Sequence, residues 1–99
     1  MPKIIVLDEP NASLDFGNQG RVMREIRALG ASGHGVLFTT HDPNHAMRAA
    51  DRACLLRQGA VIGEGAAKDV LTLDNLSALY GAKVQRLTDA GGDQAFLPE

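Results

Sequence analysis

The stretch Lys3-Ile4-Ile5-Val6-Leu7-Asp8-Glu9-Pro10 decides the fold, because an unbroken apolar run ends there on two adjacent carboxylates. Ile4 to Leu7 shows no polar alternation, the pattern of a strand covered on both faces of a parallel sheet. Pro10 has no N–H to give and ends the ladder. In open α/β sheets, ligands bind beyond the carboxyl ends of the strands, which puts Asp8 and Glu9 where a substrate would sit. Neighbouring residues of an extended chain point to opposite sides, so the two carboxylates are expected to do different jobs. On their own they suit a site where one acid holds a cation and the other orients water. By themselves they better suit a strand that runs into an acidic turn or helix start.

Outward from this stretch, Asp15 is placed to cap a helix over about Phe16 to Leu29, with Val22, Ile26 and Leu29 on one face and Met23 beside them. Arg21, Arg24, Glu25 and Arg27 fall mostly off that seam and read as a solvated face. Gly30-Ala31-Ser32-Gly33-His34-Gly35 ends the helix, with His34 expected in an exposed loop. Gly35 to Thr40 is the second strand. Strand, helix, strand over this distance implies a parallel βαβ unit, so both strands end on the same edge. That edge receives His41.

The string Leu7-Asp8-Glu9-Pro10-Asn11-Ala12-Ser13-Leu14-Asp15 closely resembles the Walker B motif and D-loop of ATP-binding cassette (ABC) ATPases, commonly Leu-Asp-Glu-Pro-Thr-Ser-x-Leu-Asp. Asn11 stands where Thr is usual and Ala12 where Ser is usual. Thr39-Thr40-His41-Asp42-Pro43 resembles the H-loop of the same family. The resemblance implies a partial P-loop NTPase (RecA-like) α/β fold, with parallel strands and a crossover helix followed by a β-hairpin and short carboxyl-terminal helices. It also implies Asp8 as the Mg²⁺-serving aspartate, acting through water, and Glu9 as the catalytic glutamate. His41 would contact the γ-phosphate and the attacking water. Ser13 and Asp15, in the D-loop, would contribute to the nucleotide site across a dimer interface. ATP and Mg²⁺ are the cofactors so implied.

Further along, Asn44 to Ala50 is expected as a short helix, with Pro43 in its first turn, Asp42 near its cap and His45 facing solvent. Arg52 to Arg57 and Ala60 to Gly65, separated by Gln58-Gly59, read as a hairpin. Cys54, the one cysteine, is expected as a small core residue and can form no internal disulfide. Ala67 to Leu71 and Leu73 to Tyr80 read as short helices, the second stopped by Gly81. Val84 to Leu87 suits one more strand. The expected organisation is thus residues 1–87 as the carboxyl-terminal portion of an ABC nucleotide-binding domain and 88–99 as a flexible tail. Hairpin, short helix and Leu-x-x-Leu-Tyr-Gly most resemble importers of the iron-siderophore, haem and cobalamin group.

The 99 residues allow one domain at most, and 44% hydrophobic with 22% charged residues is ordinary globular composition. A net charge of −2 gives no basic surface for nucleic acid. No apolar run approaches the roughly 18 residues of a membrane span. A cytoplasmic protein is expected, peripheral on the inner face of the cell membrane when assembled. The resemblance covers nearly the whole chain but only part of the family's domain. The phosphate-cradling Gly-x-x-x-x-Gly-Lys-Ser/Thr loop, the Leu-Ser-Gly-Gly-Gln signature and the Q-loop do not occur in it. The chain is therefore expected to be a fragment, a truncated frame or one piece of a split gene, inactive alone and leaving an apolar sheet face exposed. Expected partners are the remainder of the domain or a second domain as dimer, and transmembrane permease subunits. Two alternatives are a non-catalytic remnant acting as an interaction module and a piece of a DNA-repair-type ABC ATPase, although the charge balance gives DNA no support.

Overall fold

A computed structural model describes residues 3–98, which form two units divided after Ala49. In the first unit, β1 (Ile4–Leu7) lies parallel to β2 (Gly35–Phe38), with Ile4 opposite Gly35 and Leu7 opposite Phe38. The connection is α1 (Phe16–Ala31), whose first turn is capped by Asp15: its Oδ1 accepts the Asn18 N–H at 2.8 Å. α1 packs against β2 and the short α2 (Pro43–Ala49). Met23 (2% exposed) and Ile26 (4%) are its buried residues, with Val22 and Leu29 at the margins of the seam. Each such buried side chain contributes about 1.5–3 kcal/mol by transfer from water.

The outer face of this two-stranded sheet is bare, with Ile4 84%, Val6 68% and Leu37 62% exposed. An uncovered apolar sheet face is what the sequence leads one to expect. The alternating residues Ile5, Leu7, Val36 and Phe38 are the better protected set. Arg27, read as a solvated arginine, donates from its guanidinium to the Arg48 carbonyl at 2.8 Å, satisfying an orphan acceptor at the end of α2. His34 is only half exposed, and its Nδ1 accepts the Lys3 N–H at 3.2 Å.

In the second unit, β3 (Arg52–Arg57) and β4 (Ala60–Ala66) form an antiparallel hairpin. Gln58 (φ +52°) and Gly59 (φ +80°) make its two-residue turn, the positive-φ pair that matches the twist of the flanking strands. Between Leu55 opposite Gly63 and Leu56 opposite Val61, Ile62 is an extra residue, a bulge. Two helices follow, α3 (Ala67–Val70) and α4 (Leu73–Tyr80). The Thr72 hydroxyl caps α4, and Gly81 (φ +66°) ends it in the left-handed conformation a side chain resists. Leu55, Ala67, Val70, Leu71, Leu76 and Phe96 are the buried apolar residues of this unit.

Two readings are corrected here. Cys54 is exposed, because strand alternation turns Ala53 and Leu55 inward and Cys54 outward, opposite Glu64. The flexible tail expected over 88–99 is, through residue 98, half of a hairpin: β5 (Val84–Thr88) pairs antiparallel with β6 (Gln94–Pro98). Phe96 supplies the reason. It is 3% exposed and carries the Arg86 guanidinium over its ring at 5.4 Å, so the strand is anchored by one aromatic.

Candidate active site

The site lies entirely in the first unit, at the carboxyl ends of β1 and β2. The parallel ladder runs one step past the strand ends, with the Thr39 N–H donating to the Leu7 carbonyl at 3.1 Å. This brings Asp8 and Thr39 abreast. The Thr39 hydroxyl donates to Asp8 Oδ1 at 2.6 Å and accepts the Glu9 N–H at 2.9 Å. Glu9 itself sits at φ +46°, a left-handed backbone that a non-glycine residue adopts at a cost of about 1–2 kcal/mol. The turn that follows closes with the Ala12 N–H on the Glu9 carbonyl at 2.9 Å.

His41 enters from the second strand. Its Nε2 is 3.1 Å from Glu9 Oε1, with side chains 89% and 43% exposed. At such exposure the pair contributes about 0–1 kcal/mol to stability, so its geometry matters more for chemistry than for folding. The loop bearing His41 is held by its own polar groups. Thr40 Oγ1 accepts the Asp42 N–H at 3.0 Å, and Asp42 Oδ1 accepts the Asn44 N–H at 2.9 Å, at the start of α2. Between this loop and the turn after β1 lies an open pocket of about 150 Å³ lined by Glu9, Asn11, Ala12, Thr40, His41, Asp42 and His45.

Of the residues expected at the site, Glu9 and His41 meet in this pocket, and Asp8, which does not line it, is tied to the Glu9 amide through the Thr39 hydroxyl. Ser13 and Asp15 do not line this pocket: Ser13 is exposed at φ +66°, and the Asp15 carboxylate is engaged at the start of α1. His45, expected to face solvent, is corrected. Its side chain is 15% exposed, with Nδ1 3.4 Å from Thr40 Oγ1 and Nε2 3.6 Å from Asp42 Oδ2. A seven-residue helix carries too little periodicity to reveal its inner face. Thr39 was missed, because only the register of β1 against β2 sets its hydroxyl, one residue past β2, beside the carboxylate one residue past β1. Asn11 is 7% exposed with neither amide atom paired among the described residues, a cost of about 1–3 kcal/mol.

Among the described residues, no three His, Cys, Asp or Glu side chains form a group able to hold a metal by themselves. One hard carboxylate at an open edge fits Mg²⁺, which keeps water and takes its remaining ligands from substrate phosphates. Asp8 offers that carboxylate, exposed and with one oxygen already fixed by Thr39. A carboxylate and an imidazole 3.1 Å apart can together orient a water and a phosphoryl oxygen.

No family model matches the chain. It is 43% identical over 95 residues to the hemin import ATP-binding protein HmuV of Burkholderia thailandensis, covering 95% of this chain and 35% of that protein. The vitamin B12 import ATP-binding protein BtuD of Photobacterium profundum is 34% identical over 88 residues, covering 89% and 35%. The chain thus spans about a third of the length of these relatives. A solved metal-chelate type ABC transporter in an inward-facing conformation superposes with a TM-score of 0.86 at 30% identity, over 97% of this chain and 39% of that one. With Asp8, Glu9 and His41 at one sheet edge, the chain is similar in sequence and fold, along nearly its whole length, to the ATP-binding proteins of ABC transporters.

Proposed function

We propose that these residues are the hydrolytic edge of the ATP-hydrolysing subunit of an ABC importer. The observation that carries the reading is the 3.1 Å approach of His41 Nε2 to Glu9 Oε1 at the ends of adjacent parallel strands. Glu9 orients and polarises the attacking water. His41 donates to a γ-phosphoryl oxygen as negative charge spreads over it in a loose transition state. Asp8 serves the cation through water. Held there through Asp8, Mg²⁺ would supply neutralisation of phosphate charge. Ser13 and Asp15 act at the interface with a second nucleotide-binding domain.

The backbone cradle and lysine that hold phosphates in this chemistry are not among these 99 residues, so the rest of the domain supplies them. The exposed Ile4, Val6 and Leu37 support this, since a flanking segment would bury them. Without that complement the chain is inactive. The assembled subunit sits on the cytoplasmic face of the membrane against permease subunits and couples hydrolysis to import. Among the described residues no helix is long and apolar enough to cross a membrane. An iron complex or a similar chelate is the proposed cargo, in line with the hemin and vitamin B12 import proteins it resembles. The test is Glu9→Gln in the full-length protein carrying this chain. Hydrolysis should be lost with ATP binding retained; a variant that hydrolyses ATP at the parent rate removes Glu9 from the role.

A further inference from the structure

We infer that Thr39 is a positioning residue that sets both carboxylates of the site through a single hydroxyl. A threonine hydroxyl has one proton and two lone pairs. Because Oγ1 already accepts the Glu9 N–H at 2.9 Å, its own proton is free to go to Asp8 Oδ1, 2.6 Å away. The result is a directed chain from the Glu9 amide through the Thr39 hydroxyl to the Asp8 carboxylate. A hydroxyl-to-carboxylate bond of this length is of the charge-assisted, stronger kind.

Each end of the chain has a consequence for the site. At Asp8, one oxygen is pinned by Thr39, which fixes the carboxylate plane and presents Oδ2 and the remaining lone pair of Oδ1 for a metal-bound water. At Glu9, the amide bond helps to hold the residue at φ +46°, which aims its side chain at His41. Thr39 is itself fixed by its N–H on the Leu7 carbonyl at 3.1 Å, so the hydroxyl is delivered by the parallel register and not by a mobile loop. The inference rests on the ATPase reading for its function, but its geometry is independent of that reading.

The experiment uses Thr39→Val, isosteric but without the hydroxyl, and Thr39→Ser, which restores it, in the full-length protein. Mn²⁺ binding in the presence of ATP is followed by electron paramagnetic resonance, and exchange of the Glu9 amide by NMR of glutamate-labelled protein. Thr39→Val should weaken Mn²⁺ binding about tenfold or more, the usual effect of losing the group that orients a metal-serving side chain. It should also speed exchange of the Glu9 amide, and Thr39→Ser should return both to near the parent values. Unchanged Mn²⁺ affinity in Thr39→Val, or a Thr39→Ser variant as impaired as Thr39→Val, overturns the assignment. A lowered melting temperature with both readouts unmoved does so as well. A parent protein that binds no Mn²⁺ with ATP, yet shows a Glu9 amide whose protection depends on the Thr39 hydroxyl, sinks the ATPase reading alone.

Discussion

Glu9 occupies a left-handed backbone conformation, and this yields a prediction whose sign opposes the usual expectation. Replacing Glu9 with Ala removes the side chain and its exposed contact with His41, a loss of about 0–1 kcal/mol. Replacing it with Gly removes the same atoms but also the Cβ that makes φ +46° costly, a relief of about 1–2 kcal/mol. Against this stands the greater entropy of glycine in the unfolded chain, roughly 0.5–1 kcal/mol. The difference leaves Glu9→Gly as stable as Glu9→Ala or more stable by up to about 1.5 kcal/mol, whereas in ordinary helix or strand backbone glycine is the weaker of the two. Urea unfolding of the two variants measures this. With a slope of about 1–3 kcal/mol/M, the glycine midpoint should be equal or higher by up to roughly 1.5 M. A glycine variant less stable than the alanine variant by 0.5 kcal/mol or more, taken as about the ordinary penalty, refutes the claim that Glu9 is held in a strained turn. In the full-length protein both variants lack the carboxylate, so both should lose hydrolysis whatever their stability.

Three further outcomes are expected. Asn11→Leu, similar in volume and free of the two unpaired buried amide atoms, should be neutral or stabilise by up to about 1–2 kcal/mol in chemical unfolding, whereas a loss of the size typical of core damage would show that the amide has a partner. Leu76→Ala, at a fully buried position, should cost about 2–5 kcal/mol, and a calorimetric shift worth under 1 kcal/mol would contradict its place in the second unit's core. Asp15→Ala should cost about 1 kcal/mol through loss of the α1 cap, while Asp15→Asn should keep most of that stability; a fall in hydrolysis with Asn despite an intact fold would reveal the interface role proposed for Asp15.

The elements with strong local chemistry were legible in the sequence. β1 and β2 follow from apolar runs of strand length, α1 from its seam and the Asp15 cap, and the β3–β4 hairpin from Gln58-Gly59. The parallel βαβ unit puts the ends of both strands on one edge, but Asp8, Glu9 and His41 were singled out there by the motif resemblance, since an Asp-Glu pair or a lone histidine at a strand end also suits a plain turn. What escaped depends on contacts distant in sequence or on faces of short elements. β6 follows Gly91-Gly92 and ends at Pro98, so its composition reads as loose chain until Phe96 is seen buried. Ala53-Cys54-Leu55-Leu56 looks uniformly apolar, and only pairing with β4 shows that Cys54 faces out. His45 and Thr39 acquire their roles from neighbours that the sequence does not place beside them. The bare Ile4, Val6 and Leu37 mark the reverse case, in which the sequence carries a buried-strand pattern and the strand face stands exposed.

The central claim is that Glu9 and His41 act as one unit on the same phosphoryl transfer. A double-mutant cycle in the full-length protein tests it most directly, with single-turnover ATP hydrolysis measured for the parent, Glu9→Gln, His41→Ala and the double variant. The account predicts that the double variant is no slower than the slower single variant. Rate losses that multiply across the two positions would show that the side chains act independently, and would contradict it.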